Sequence, residues 1–308
     1  MRNAAIKTLV ELAESDPDII LIASDLGYGV LDDFRTRLTR QFFNAGICEQ
    51  NMTSVAAGLA LEGKTVFTYS IGNFSTMRCL EQIRNDVAYH NANVKIVSVG
   101  GGLAYGSLGM THHATEDISI MRSLPNLKIF APGDKQEAVA AVEEIYRIPG
   151  PCYLRLGKGG ETDVHKQIPQ QLSKAIKIYD GDQVCILSTG GILGNALGAA
   201  NILRGEGFEI ALYSLPVVKP LDVETIRQCA HTYKLLISIE EHNIVGGFGG
   251  AVAEVMAEMT HNKAVLRRIG FPDVYPSIVG SQDYLRDVYG LSINKIVDTI
   301  RKAIDETI

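Results

Sequence analysis

The sequence predicts an α/β fold of two doubly wound domains, and three observations carry that reading. Strand-length apolar runs recur without the polar alternation of a half-exposed strand, which marks strands buried on both faces of a parallel sheet. Helical segments separate these runs, the alternation that a doubly wound sheet requires. The pattern stops once, at a polar stretch in mid-chain, and then starts again. A chain of 308 residues has room for two such cores.

Taken in order, Met1 to Asp16 reads as an amphipathic helix. The runs IILIAS after Asp18, TVFTYS after Lys64, VKIVSVG after Asn93 and KIFAP after Leu127 read as strands. Between the first two, Glu49 to Gly63 has the spacing of a helix, with Met52, Val55, Ala56 and Leu59 on one face and Gly63 suited to its C-terminus. A turn and a helix follow Ala131. The polar residues 162–182 read as linker with some local structure. The strand pattern resumes with VCILSTG after Gln183, EIALYSL after Phe208, LLISIE after Lys234 and LRRIG after Val265. Helices are expected over 191–207, after the glycine-rich start that follows Asn243, and near 293–305. The first domain is therefore placed at 1–165, the linker at 166–182 and the second domain at 183–308.

Composition narrows the function. The net charge is −6 and no basic stripe stands out, which argues against nucleic-acid binding. No apolar run approaches the roughly 18 residues of a membrane span. The N-terminal helix lacks the basic start, apolar middle and small-residue cleavage site of a signal peptide. The five cysteines (Cys48, Cys79, Cys152, Cys185 and Cys229) are scattered and form no CxxC. They read as reduced, buried thiols of a cytoplasmic protein rather than as disulfides or a zinc site.

Several residues stand where chemistry is possible. Glu49 opens a helix directly after a glycine turn, a position that the helix dipole favours for a carboxylate whatever its role. Asp25 ends the first strand, where it serves equally as a turn residue or as a ligand contact. Phe74 suits a core or a stacking platform. Arg78, Glu81, Gln82 and Arg84 follow at helical spacing, as a solvated or interface face would. The glycine-rich segment from Gly100 to Gly109 can cradle phosphate. His112 can donate or accept a proton near neutral pH, whereas His113, one step on, points elsewhere. Arg155 and Lys158 are equally surface charges or phosphate ligands.

Together these segments resemble the transketolase family, in the family's order and across nearly the whole chain. Gly46-Ile47-Cys48-Glu49-Gln50-Asn51-Met52 resembles the G-I-x-E-Q segment of transketolases and of deoxyxylulose-5-phosphate synthase. In those families this Glu contacts N1′ of the thiamine aminopyrimidine, and the shared proton lets the cofactor act as its own general base. The resemblance implies that Asp25 and Leu26 shape the cofactor site, Phe74 stacks on the aminopyrimidine and Arg78 lies beside it. It also implies that His112, in the Thr111-His112 pair, meets the reacting oxygen of a sugar, and that Arg155 or Lys158 meets its phosphate. The Glu241-His242-Asn243 segment, with the glycines from Gly246, is similar to the family's C-terminal domain and is assigned no chemistry.

Two departures shape the expected function. The family holds the cofactor's diphosphate through a metal on a G-D-G motif, which this chain lacks: Gly181-Asp182 is followed by Gln183. The resemblance therefore implies a separate N-terminal-half subunit carrying thiamine diphosphate's metal site, with Mg2+ as the usual ion, in an α2β2 heterotetramer. Where classical transketolases have an acidic E-D-G before P-T-H, this chain has Ser107-Leu108-Gly109. That change points to a specialised ketose rather than the ordinary pentose phosphates. The expected activity is transfer of a two-carbon ketol unit from a ketose phosphate to an aldose. The alternatives are a thiamine-dependent subunit that decarboxylates a 2-oxo acid, like deoxyxylulose-phosphate synthase or the beta chain of a 2-oxo acid dehydrogenase, and a non-catalytic scaffold.

Overall fold

The computed structural model describes residues 1–261 and 263–308. Its strands are β1 (Ile19–Ala23), β2 (Phe42–Asn44), β3 (Thr65–Ile71), β4 (Val94–Val99), β5 (Lys128–Phe130), β6 (Cys152–Leu156), β7 (Ile176–Tyr179), β8 (Val184–Ser188), β9 (Ile210–Ser214), β10 (Val217–Lys219), β11 (Leu235–Asn243) and β12 (Val265–Phe271). They form a seven-stranded sheet in the order β10-β5-β6-β4-β3-β1-β2 and a five-stranded sheet in the order β12-β11-β8-β9-β7. Every pairing is parallel except β10 with β5 and β7 with β9, both at edges.

Unalternating apolar strands need cover on both faces, and the first sheet has it. One face carries the helices Arg2–Ser15 and Lys135–Arg147. The other carries Glu49–Leu61 and the segment from Leu80 to Ala88, which ends in a wide π-helical turn. The strands β1, β4 and β6 are buried at every position. In the second sheet, Leu193–Gly205 and Ile293–Thr307 cover one face, and Val223–Thr232 and Phe248–Ala257 the other.

The structure differs from the sequence reading in several places. Val55 is exposed, and the buried face of its helix runs instead through Met52, Thr53, Ala56 and Ala57. Part of the expected linker is strand, since β7 pairs with β9. Strand β10, from the second half of the chain, closes the edge of the first sheet against β5. Among the described residues no helix is long and apolar enough to cross a membrane. Four of the five cysteines are buried, and Cys48 is exposed.

Candidate active site

Parallel α/β sheets bind ligands beyond the carboxyl ends of their strands, where the strand order reverses. In the first sheet that point lies at β1, which has β2 on one side and β3 on the other. Three segments leave there: Ser24–Asp25 after β1, Ala45–Glu49 after β2 and Gly72–Arg78 after β3. The topology thus brings Asp25, Glu49, Phe74 and Arg78 to one crevice, although up to 53 positions separate them in the sequence.

Glu49 is the first residue of its helix, and the left-handed Gly46 (φ 72°) makes the turn into it. Its side chain is only 2% exposed, and Oε2 accepts a hydrogen bond from Arg78 Nη1 at 2.9 Å. The Arg78 guanidinium also lies over the Phe74 ring, 4.4 Å from its centroid. The Phe74 and His112 rings meet edge to face, with centroids 5.1 Å apart and planes inclined by 65°. One chain of contacts therefore links Glu49, Arg78, Phe74 and His112. Asn73 Nδ2 donates to the Thr111 carbonyl at 2.8 Å, tying the turn after β3 to the His112 segment. Gly72 permits that approach: a Cβ there would lie 2.6 Å from Ala114 Cβ. His112 Nδ1 shares a 3.1 Å hydrogen bond with the Thr111 hydroxyl.

Asp25 adopts a left-handed backbone (φ 53°) that non-glycine residues rarely take. Asn44 holds it from both ends. Asn44 Oδ1 accepts from the Asp25 backbone N–H at 3.0 Å, and Asn44 Nδ2 donates to Asp25 Oδ1 at 2.8 Å. Tyr28 adds its hydroxyl to the same oxygen at 3.0 Å. Hydrogen bonds from Asn44 and then Tyr28 hold the Asp25 carboxyl below the ordinary range. Leu26 is next along and lines a small cavity with Tyr69 and Tyr105. Sequence reasoning missed Asn44, Tyr28 and Asn73. The only signal available was the place of Asn44 at the end of β2.

The segment 100–116 is held from behind. Gly100 and Gly101 N–H both donate to the Leu156 carbonyl, and Gly102 N–H to Ala114. Those glycine amides are spent on the protein's own carbonyls and do not form a phosphate cradle. Leu103 N–H donates to Glu241 Oε1, which carries the segment onto the second domain.

Arg155 corrects its expected role. It is buried between the domains, donating Nε to Asp117 Oδ2 at 2.7 Å and Nη2 to the carbonyls of Ala114 and Glu241 at 2.9 and 3.0 Å. Tyr153 gives its hydroxyl to the same Asp117 oxygen at 2.6 Å. Burial alone would push the Asp117 carboxyl up, but the charge of Arg155, the neighbouring His242 and the hydrogen bonds from Arg155 and Tyr153 together outweigh it and hold the carboxyl down. The guanidinium is thus committed to the protein's own acceptors and meets only a small cavity that it lines with Glu241, Gln282 and Arg286. Lys158 is different: it is exposed and lines a cleft of 810 Å³ between the halves, with Glu161, Gly191 and Arg286 among its walls.

The crevice matches one half of the cofactor expected from the sequence. A buried carboxylate and an aromatic face together hold a flat nitrogenous group, the Arg78 guanidinium, and the same pair could hold an aminopyrimidine. For the diphosphate half, no group of three or more His, Cys, Asp or Glu side chains among the described residues is placed to hold a metal ion.

Comparison with known proteins agrees with this architecture. Residues 1–160 match the family model for the transketolase pyrimidine-binding domain, and residues 173–296 match that for the transketolase C-terminal domain. The chain is 38% identical over 275 residues to one of the subunits of an apulose-4-phosphate transketolase from Phocaeicola vulgatus, covering 88% of this chain and 87% of that one. It is 36% identical over 304 residues to a putative transketolase C-terminal section from Methanocaldococcus jannaschii, covering 97% and 95%. A solved structure described as a split gene transketolase, inactive beta4 tetramer, superposes with a TM-score of 0.90 at 34% identity, covering 99% of this chain and 98% of that one. The chain belongs to the transketolase family, as a transketolase-type subunit carrying the family's pyrimidine-binding and C-terminal domains.

Proposed function

We propose that this subunit, joined to an N-terminal-half subunit, transfers a two-carbon ketol unit from a ketose phosphate to an aldose with thiamine diphosphate and Mg2+. The observation that carries the reading is the buried Glu49 carboxylate linked through Arg78 to Phe74, whose ring meets His112. Thiamine diphosphate, when bound, supplies the nucleophilic carbon and the electron sink for breaking a carbon–carbon bond. Glu49 holds a proton at the aminopyrimidine nitrogen, in a setting from which its burial excludes water. Phe74 supplies the stacking face. Asp25, pinned by Asn44 and Tyr28, and Leu26 shape the floor. His112 has no hydrogen bond at Nε2 among the described residues, so that nitrogen is free to move protons at a substrate oxygen. Lys158 reaches the substrate phosphate from the interdomain cleft.

The rim of the site favours a specialised sugar. Leu108 and Met110, which precede His112 in the same loop, are both exposed apolar side chains. Neither can read a hydroxyl, so the substrate is a ketose whose hydroxyl pattern differs from that of ordinary pentose phosphates. The P. vulgatus relative, named for apulose 4-phosphate, supports this direction. Tagged purification should bring down a second chain of similar size carrying G-D-G, and an α2β2 complex is the expected product. In that complex Glu49→Gln should lower turnover by at least about 100-fold. Unchanged turnover leaves a scaffold role, and full-rate use of xylulose 5-phosphate refutes the specialised substrate.

A further inference from the structure

Glu49 and Phe74 are the two groups an aminopyrimidine needs, and Arg78 engages both. Its Nη1 lies 2.9 Å from Glu49 Oε2, and its guanidinium carbon lies 4.4 Å from the Phe74 centroid. A guanidinium is planar, delocalised and weakly hydrated, so it stacks face-on and offers N–H groups edge-on. His112 also packs against Phe74, with ring centroids 5.1 Å apart and planes inclined by 65°, while the Arg78 guanidinium lies over the ring. Two flat groups cannot stack on the same face of one phenyl ring.

Burial decides which group can yield. The Glu49 side chain is 2% exposed, whereas that of Arg78 is 45% exposed. The carboxylate is fixed at its helix start, while the arginine reaches inward from the mouth on a long chain and can swing out. Its guanidinium also keeps a buried carboxylate from standing unpaired, a state proteins avoid.

We propose that Arg78 is a placeholder: in the cofactor-free subunit its guanidinium occupies the aminopyrimidine seat, and cofactor loading requires it to leave. This rests on the reading of Glu49 and Phe74 as the aminopyrimidine site. Loading becomes an exchange of one flat cationic group for another flat heterocycle, with Glu49 partnered before and after. The exchange penalises binding, because an ion pair and a stacked contact break first.

The test uses the purified chain and thiamine, which lacks the diphosphate and so needs no metal site. Calorimetric titration should show Arg78→Ala binding thiamine about tenfold more tightly than the unmodified chain, with Arg78→Lys between them. Weaker binding by Arg78→Ala overturns the proposal and makes Arg78 a cofactor contact. A second readout needs no variant. Phenylglyoxal labelling of Arg78, followed by peptide mass spectrometry, should rise when thiamine saturates the unmodified chain. A fall means that Arg78 closes over the ring instead, and overturns the proposal. If thiamine binds equally well to Glu49→Gln and Phe74→Ala chains, or to no form of the chain, the site reading itself fails and takes the placeholder with it.

Discussion

Replacing Arg155 by Met tests whether the buried pair with Asp117 holds the two domains together. The side chains of Arg155 and Asp117 are 5% and 0% exposed. Arg155→Met keeps much of the volume but removes the donors to Asp117 Oδ2 and to the carbonyls of Ala114 and Glu241. Tyr153 remains as the partner of a buried carboxylate with no countercharge. Breaking such a pair costs about 3–5 kcal/mol, most of it from the charge left behind. The double variant Arg155→Met/Asp117→Asn removes that charge, and the Tyr153 hydroxyl can still donate to the amide oxygen. It should recover more than half of the loss. Urea unfolding followed by far-UV circular dichroism measures both, with the midpoint as the comparison because a two-domain chain need not unfold in one step. A single variant within about 0.5 kcal/mol of the unmodified chain refutes the structural role. A phosphate-binding role predicts the reverse pattern: unchanged stability and a raised KM for a phosphorylated sugar.

Other expectations follow from single contacts. Gly72→Ala places a methyl 2.6 Å from Ala114 Cβ and should cost about 1–3 kcal/mol by overpacking. Adding Ala114→Gly should restore the melting temperature, and failure to do so places the strain elsewhere. Asp134 caps the helix Lys135–Arg147 through the N–H groups of Gln136 and Glu137 and also binds Val164 and His165. Burial raises its pKa, but the His165 side chain and these amides win and hold it at about 2. A depressed carboxyl pKa contributes stability above the unfolded value near 3.9 that disappears as pH falls through the folded one. Asp134→Asn should therefore be about 2 kcal/mol less stable at neutral pH and no different below the folded pKa, and a constant gap at all pH values argues against the linkage. Lys158→Ala should raise KM for a phosphorylated ketose about tenfold without lowering the melting temperature. An unchanged KM removes Lys158 from the substrate site.

The sequence was legible where burial is uniform and opaque where contacts are long-range. Strands β1, β3 and β4 announce themselves because both faces are covered, which favours apolar-rich runs even where a Thr, Ser or Lys interrupts them. The edge strands β2, β7 and β10 have three or four residues each, too few for a period to show. Glu49, Phe74 and His112 stand out through the strings around them, and the strand order explains why they meet. Asn44, Asn73 and Tyr28 carry no such string. Their role lies in hydrogen bonds to groups that only folding brings near. Arg155 shows how charge alone misleads: the sequence reveals a guanidinium after a strand but not that Asp117, 38 residues earlier, turns it inward. The helix face was mistaken at Val55, where an apolar residue implies burial but lies off the face that runs through Met52, Thr53, Ala56 and Ala57.

Strand β10 has a consequence for any attempt to cut this protein apart. It is delivered from beyond the second domain's third strand, β9, yet it seals the outer rim of the first sheet, where the Ala131 N–H meets the Pro216 carbonyl and Lys219 Nζ meets the carbonyls of Arg122 and Leu124. A fragment truncated at the linker would present β5 with an open row of amides and carbonyls, the kind of edge that recruits other chains. Sequence modules and physical modules are therefore not coextensive here. A gene designer who transplants the first module alone must graft those three residues back or blunt the bare strand with charge.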